Sequence, residues 1–242
     1  MLVLSERLDM REDLGDRLRE RLQELIEEAS GGSVEVDRTA DGWMIINAED
    51  EILLKSIIRL ETKINPIASE KPPHLAYIKE VTETKIRVAY PTPRGESIQK
   101  AFSTKKFAAT LGHYEEPLKD FLERIGIFRG SLVSISADAP SMLQLRFLQE
   151  LAARGLDCLL ILNMAPQEVE SLLALQRVGA LIASHQALTL TMHLLSIKLG
   201  VTPARAYERV RDEVEAVSRD IVVKLLPWNS LSRLQRSWRL FE

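Results

Sequence analysis

Seven cations fall between residues 79 and 106: Lys79, Lys85, Arg87, Arg94, Lys100, Lys105 and Lys106, against three acids in the same stretch. Tyr77, Tyr90 and Phe102 are interleaved with them. Cations that meet phosphates and aromatic faces on which bases stack are the chemistry of a surface for single-stranded nucleic acid. The same letters also describe a sheet whose aromatics are core and whose lysines are merely solvated. A second group lies in the tail, where Arg233, Arg236 and Arg239 recur at i, i+3 among Trp228, Leu231, Leu234, Trp238 and Phe241. An amphipathic helix of this kind binds a partner groove or a second copy through Trp228, Arg233, Arg236, Trp238 and Arg239. A C-terminal helix more commonly docks on its own domain, and docking is the favoured reading.

For catalysis the search is negative. His74, His113, His185 and His193 show neither H-x-E nor H-E-x-x-H spacing, and no phosphate-loop, dinucleotide-loop or nucleophile-elbow pattern occurs. His185 and His193, eight apart, fall about eighty degrees from a shared face on a helix. Asp138 and Asp157 flank predicted strands but receive no role. No catalytic residue, metal ligand or cofactor is implied, and the expectation is of a non-enzymatic binding protein.

The elements must position these groups. At 242 residues and 45% hydrophobic composition, the chain is long enough to bury a sizeable core. Its formal charge is only -3, but the charge is unevenly spread. Residues 1–64 carry 9 Lys and Arg against 16 acids, whereas 65–136 carry 11 against 8. Nucleic acid is therefore expected at the middle of the chain and not across its acidic beginning. Cys158, the one cysteine, sits in the apolar run "LDCLLIL" and reads as a small buried hydrophobe. The opening "MLVLSERLDMRED" is too briefly apolar and too acidic to read as a signal peptide, and no apolar run approaches about 18 residues, so the expected compartment is the cytoplasm, with no membrane partner.

Leu14, Leu18, Leu22, Leu25 and Ile26 predict a helix that ends at Ser30-Gly31-Gly32, and "SVEVDRTADGWMIIN" predicts a hairpin. A second amphipathic helix follows through Ile52, Leu53, Ile57 and Leu60. The resulting β-α-β-β-α order over 1–64 is shared by K-homology folds, whose Gly-x-x-Gly clamp is missing here. "NPIASEKPP", residues 65–73, reads as a linker. Over 74–138, strands "HLAYIKEV", "IRVAY" and "IQKAFS", helices "TKKFAATLG" and "EEPLKDFLERIG", and a closing "SLVSISAD" read as an OB-like barrel with a helical insert.

From 139 to 242 the pattern reads as a helix-rich α/β region. "PSMLQLRFLQELAARG" is a helix, "LDCLLILN" a buried strand and "APQEVESLLALQRVG" a helix. "ALIASHQALTLTMHLLSIKLG" reads as an apolar helix, "VTPARAYERVRDEVEAVS" as a charged one and "RDIVVKLL" as a last strand. The stretch 195–210 resembles a helix-turn-helix core. Glu208, Asp212, Glu213 and Glu215 beside Arg205, Arg209 and Arg211 would repel a nucleic-acid backbone, so a plain helical hairpin is the better reading.

Several of these stretches, taken in order, resemble an uncharacterised archaeal family, domain of unknown function 2110. They are the opening strand and helix, "DGWMIINAEDE", "IKEVTETKIRVAY", "LGHYEEPLKDFLERIGIFRGSLVSIS" and "LQLRFLQELAARGLDCLLI", and they span roughly residues 1–180. Where that family carries glycines and an acidic residue in the second barrel strand, this chain has Ala89-Tyr90 and a proline-rich loop. The resemblance implies an architecture and an archaeal source, and no catalytic residues.

Two functions compete on these letters. One is an RNA- or single-strand-binding protein that works through the basic barrel. The other is an interaction or scaffolding protein that oligomerises through its C-terminal region. The expected fold class is α+β in both.

Overall fold

The computed structural model describes residues 1–115, 117–137 and 139–238, with side chains described through Arg233. Helices and antiparallel sheets alternate along it in an α+β arrangement. Among the described residues no helix is long and apolar enough to cross a membrane.

The chain opens with β1 (Leu2–Arg7), α1 (Leu14–Ser30), β2 (Val34–Arg38), β3 (Trp43–Ala48) and α2 (Glu51–Glu61). β3 pairs antiparallel with both other strands, so the sheet order is β1-β3-β2. Leu14, Leu18, Leu22 and Ile26 form the buried stripe of α1, as helical spacing on a half-buried helix requires. Asp50 caps α2: its carboxylate accepts the Ile52 and Leu53 N–H groups, each at 2.9 Å. Gly42 makes the β2–β3 turn possible, with φ +85° and the Asp9 carboxylate 2.6 Å from where a Cβ would stand.

The 65–73 segment runs along the free edge of β1. Ser5 donates its N–H to the Pro66 carbonyl and Ala68 donates to Val3, both at 2.8 Å, with Leu4 bridged to Ile67. It leads into β4 (His74–Val81), β5 (Lys85–Pro91), β6 (Ser97–Ser103), α3 (Thr104–Thr110), α4 (Leu118–Arg124), β7 (Leu132–Ser136) and β8 (Ala139–Pro140). These strands line up as β6-β5-β4-β7-β8. The barrel expected here is a curled half-barrel. Among the described residues no ladder joins β6 to the two-residue β8, and α3 packs against both edges instead.

The remainder is α5 (Met142–Ala153), β9 (Cys158–Leu162), α6 (Pro166–Ala174), α7 (Gln176–Gly179), β10 (Ile182–Ala187), β11 (Met192–Ile197), α8 (Pro203–Val217), β12 (Val222–Leu226) and α9 (Trp228–Trp238). The sheet order is β10-β11-β9-β12, antiparallel throughout. Both faces of β9 are covered. Leu160 and Leu162 join the core shared with the half-barrel, while Leu159 and Ile161 join the core under α6, α7 and α8. Each such side chain contributes about 1.5–3 kcal/mol.

Two sequence expectations fail in this region. Residues 181–200 form the β10–β11 hairpin and not an apolar helix. β11 lies between β10 and β9 and is buried at every position, so the polar alternation that marks a strand is absent and its apolar run imitates a helix. For the same reason 195–210 is neither a helix-turn-helix nor a helical hairpin: its first arm is strand β11, and only the second is helix, α8.

Candidate nucleic-acid interface

β5 alternates as a half-buried strand should. Ile86, Val88 and Tyr90 enter the core with Ile78, Val81 and Phe102, which leaves Lys85 and Arg87 on the outer face. Cross-strand register carries that face onto its neighbours: Lys85 stands opposite Ser103, and Arg87 stands between Ala101 and Glu80. Lys79 reaches across two strands to donate from Nζ to Gln99 Oε1 at 3.3 Å. The Arg87 guanidinium lies 3.3 Å from the Glu80 carboxylate, both side chains being partly exposed. An exposed pair of this kind contributes about 0–1 kcal/mol and leaves Arg87 available to a stronger anion.

α3 begins where β6 ends. The Ser103 hydroxyl accepts the Lys106 N–H at 3.4 Å, and Thr104 is tied to the β4–β5 turn, donating its N–H to Thr84 at 3.1 Å and its hydroxyl to Thr82 at 2.8 Å. Thr104, Phe107 and Ala108 fill the core, so Lys105 and Lys106 face solvent beside the Lys85 end of the sheet. Lys79, Lys85 and Arg87 thus share the outer face, and Lys105 and Lys106 are exposed where α3 leaves β6.

The other two expected cations lie elsewhere. Lys100 stands opposite Val88 and therefore on the core-side face of edge strand β6, near His74, whose pKa is held low by burial and then by the Lys100 charge. Arg94 sits in the 92–96 turn, at the far end of β5 from Lys85, about 20 Å away along the strand. Stacking faces are also missing from the outer surface. Tyr90 and Phe102 are core residues, and Tyr90 stacks on His74 with ring centres 4.3 Å apart. Tyr77 does point outward, but it is buried against Val3 and Trp43, with the Arg7 guanidinium 5.3 Å from its ring centre. The N-terminal sheet therefore covers part of the outer face, and the aromatics expected to stack on bases are core residues.

The described part of the tail packs on its own chain. α9 packs on α5, Leu231 is fully buried, the Trp228 indole donates to the Ala152 carbonyl at 3.0 Å and the Trp228 N–H to Asp157 at 2.9 Å. Arg233 lines a hollow with His113, Tyr114 and Phe121. The side chains of Arg236 and Trp238, together with Arg239 and Asp138, lie outside the described residues.

Three buried polar clusters had no signal in the sequence. Glu6, 1% exposed, accepts from the Thr189 hydroxyl, the Thr191 hydroxyl and the Thr191 N–H, all at 2.6 Å and all on Oε1. Its Oε2 has no partner among the described residues, and burial pushes its pKa up despite those bonds. Arg11 is held by Glu168 through two 2.7 Å bonds and by Asp13 at 2.7 and 2.8 Å. Burial opposes its charge, but the bonds to Glu168 and Asp13 outweigh burial and raise its pKa.

His193, fully buried, lies with Nε2 2.8 Å from the Met164 carbonyl and Nδ1 3.1 Å from His185 Nε2. A carbonyl only accepts, so His193 carries its hydrogen on Nε2 and receives the His185 N–H on Nδ1. Burial pushes its pKa down to about 3. The two histidines meet because Ala187 pairs with His193 across the hairpin. A helix would have held them apart. Among the described residues no group of three or more His, Cys, Asp or Glu could hold a metal ion. Cys158 is buried, and burial raises its pKa, which suits an inert thiol.

Compared with known proteins, the chain matches no family model, no curated protein and no solved structure.

Proposed function

We propose that this chain is a non-enzymatic binding protein that contacts the phosphate backbone of RNA or another single strand through the outer face of β4, β5 and β6 and the start of α3. The observation that carries the reading is the placement of Lys79, Lys85 and Arg87 on the outer face of the sheet, with Lys105 and Lys106 exposed at the start of α3, which follows β6 directly. The strand order β6-β5-β4-β7-β8, with helices between β6 and β7, supports it, because it is the order of an opened OB barrel. In that fold the second and third strands, here β5 and β6, carry the nucleic acid. With the sheet aromatics buried, binding is electrostatic and tolerant of sequence.

Five phosphate contacts to a single strand give a log–log salt slope of about -3.5, or roughly a hundredfold loss of affinity between 50 and 200 mM salt. Fluorescence anisotropy of labelled single-stranded RNA and DNA at those two concentrations tests the reading. Binding that falls in this way and is lost in Lys105→Glu/Lys106→Glu protein is the expected result. Absence of binding at low salt, or binding indifferent to both salt and the double substitution, would overturn it.

A further inference from the structure

A cleft of about 550 Å³ opens between the 65–73 segment, the first residues of β4 and one side of α5. That volume suits a small molecule, for which sites run roughly 300–1,000 Å³. The walls are apolar, built from Ile67, Leu75, Leu143 and Phe147 with the rings of Pro72 and Pro73.

Lys63, Lys71 and Arg146 stand around the cleft against a single carboxylate, Glu150, which Lys63 holds at 3.4 Å. Lys71 Nζ and the Arg146 guanidinium make no ion pair or hydrogen bond among the described residues. The floor repeats this imbalance in neutral groups. Ser5 is 2% exposed, yet its hydroxyl has no partner among the described residues. Gln144, also buried, accepts the Ser134 N–H on Oε1 at 3.0 Å. That bond fixes the orientation of the amide and leaves the Nε2 donors without a partner among the described residues. The Ser5 hydroxyl and Gln144 Nε2 both open onto the cleft, where an acceptor on a bound molecule can take their hydrogens.

The geometry points to a second site, a cleft that binds a small anion with a flat apolar body. Its carboxylate or phosphate lies between Arg146 and Lys71, where a guanidinium offers two parallel donors. Its body lies against Phe147 and Leu143, and an acceptor atom deeper in takes the Ser5 and Gln144 donors. This site is distinct from the basic outer face: the first residues of β4 are about 20 Å along the strand from the Lys85 end.

The test is isothermal titration of the full chain with 8-anilinonaphthalene-1-sulfonate, a flat apolar anion, followed by displacement with phenyl phosphate and with benzoate. Expected are one equivalent bound, affinity about tenfold weaker in Arg146→Gln/Lys71→Gln protein of unchanged melting temperature, and no change in Lys105→Glu/Lys106→Glu protein. Displacement by either competitor supports the site and tells phosphate from carboxylate. Non-saturable uptake, equal affinity in the Arg146→Gln/Lys71→Gln variant, or displacement by neither competitor would overturn it.

Discussion

Replacing Glu6 with glutamine isolates the energetics of one buried carboxylate. Its Oε1 accepts three bonds at 2.6 Å, whereas Oε2 has no partner among the described residues. The adjoining cavity of about 10 Å³, beside Tyr77, Asn163 and Thr191, holds at most one water. Burial raises the native pKa above its ordinary value of 4.5, so the folded chain keeps a proton that the unfolded chain releases. The stabilising effect of that proton is complete below pH 4.5 and is lost as pH rises toward the native pKa, at about 1.4 kcal/mol per pH unit. The amide introduced by Glu6→Gln preserves the acceptor for Thr189 and Thr191 and does not titrate. The stability of Glu6→Gln minus that of the wild type therefore increases by about 1.4 kcal/mol per unit above pH 4.5 and levels off once Glu6 ionises. Urea unfolding of both proteins at half-unit steps from pH 4 to 8 measures this difference and cancels every other titrating group. Parallel curves, or a difference that shrinks with rising pH, would refute the reasoning.

His193 acts in the opposite direction. Its native pKa of about 3 lies below the ordinary 6.5, so its contribution is complete above pH 6.5 and is lost on acidification toward pH 3, at about 1.4 kcal/mol per unit. Denaturant titrations of His193→Phe protein are expected to lack this slope. Arg11→Met leaves Glu168 without its buried cation and costs about 3–5 kcal/mol; a double-mutant cycle with Glu168→Leu, read by urea midpoints, should recover much of it. Because Arg94 lies apart from the outer surface, Lys85→Gln is expected to reduce the salt slope of single-strand binding by about 0.7, while Arg94→Gln leaves it unchanged in the same anisotropy assay.

Local pattern was informative in α1 and β5, each of which has one wet face. The α1 stripe Leu14, Leu18, Leu22 and Ile26 and the β5 alternation Ile86, Val88 and Tyr90 could be read directly, because solvent imposes the period of the element on the letters. β11 has no wet face: flanked by β10 and β9 and covered on both sides, it lost its alternation, and with it the meeting of His185 and His193. Which cations share a surface was likewise a matter of register. Lys100 and Arg87 look alike in the chain, yet Lys100 stands opposite Val88 on the core side and Arg87 opposite Ala101 on the outer side. The apolar cleft draws Ser5, Lys71, Gln144 and Arg146 from widely separated stretches. Sequence alone determined the α+β class, most element positions and the basic middle of the chain. Which faces are covered, and which distant side chains meet, was decided only by tertiary packing, because burial on both sides erases the periodicity that a sequence displays.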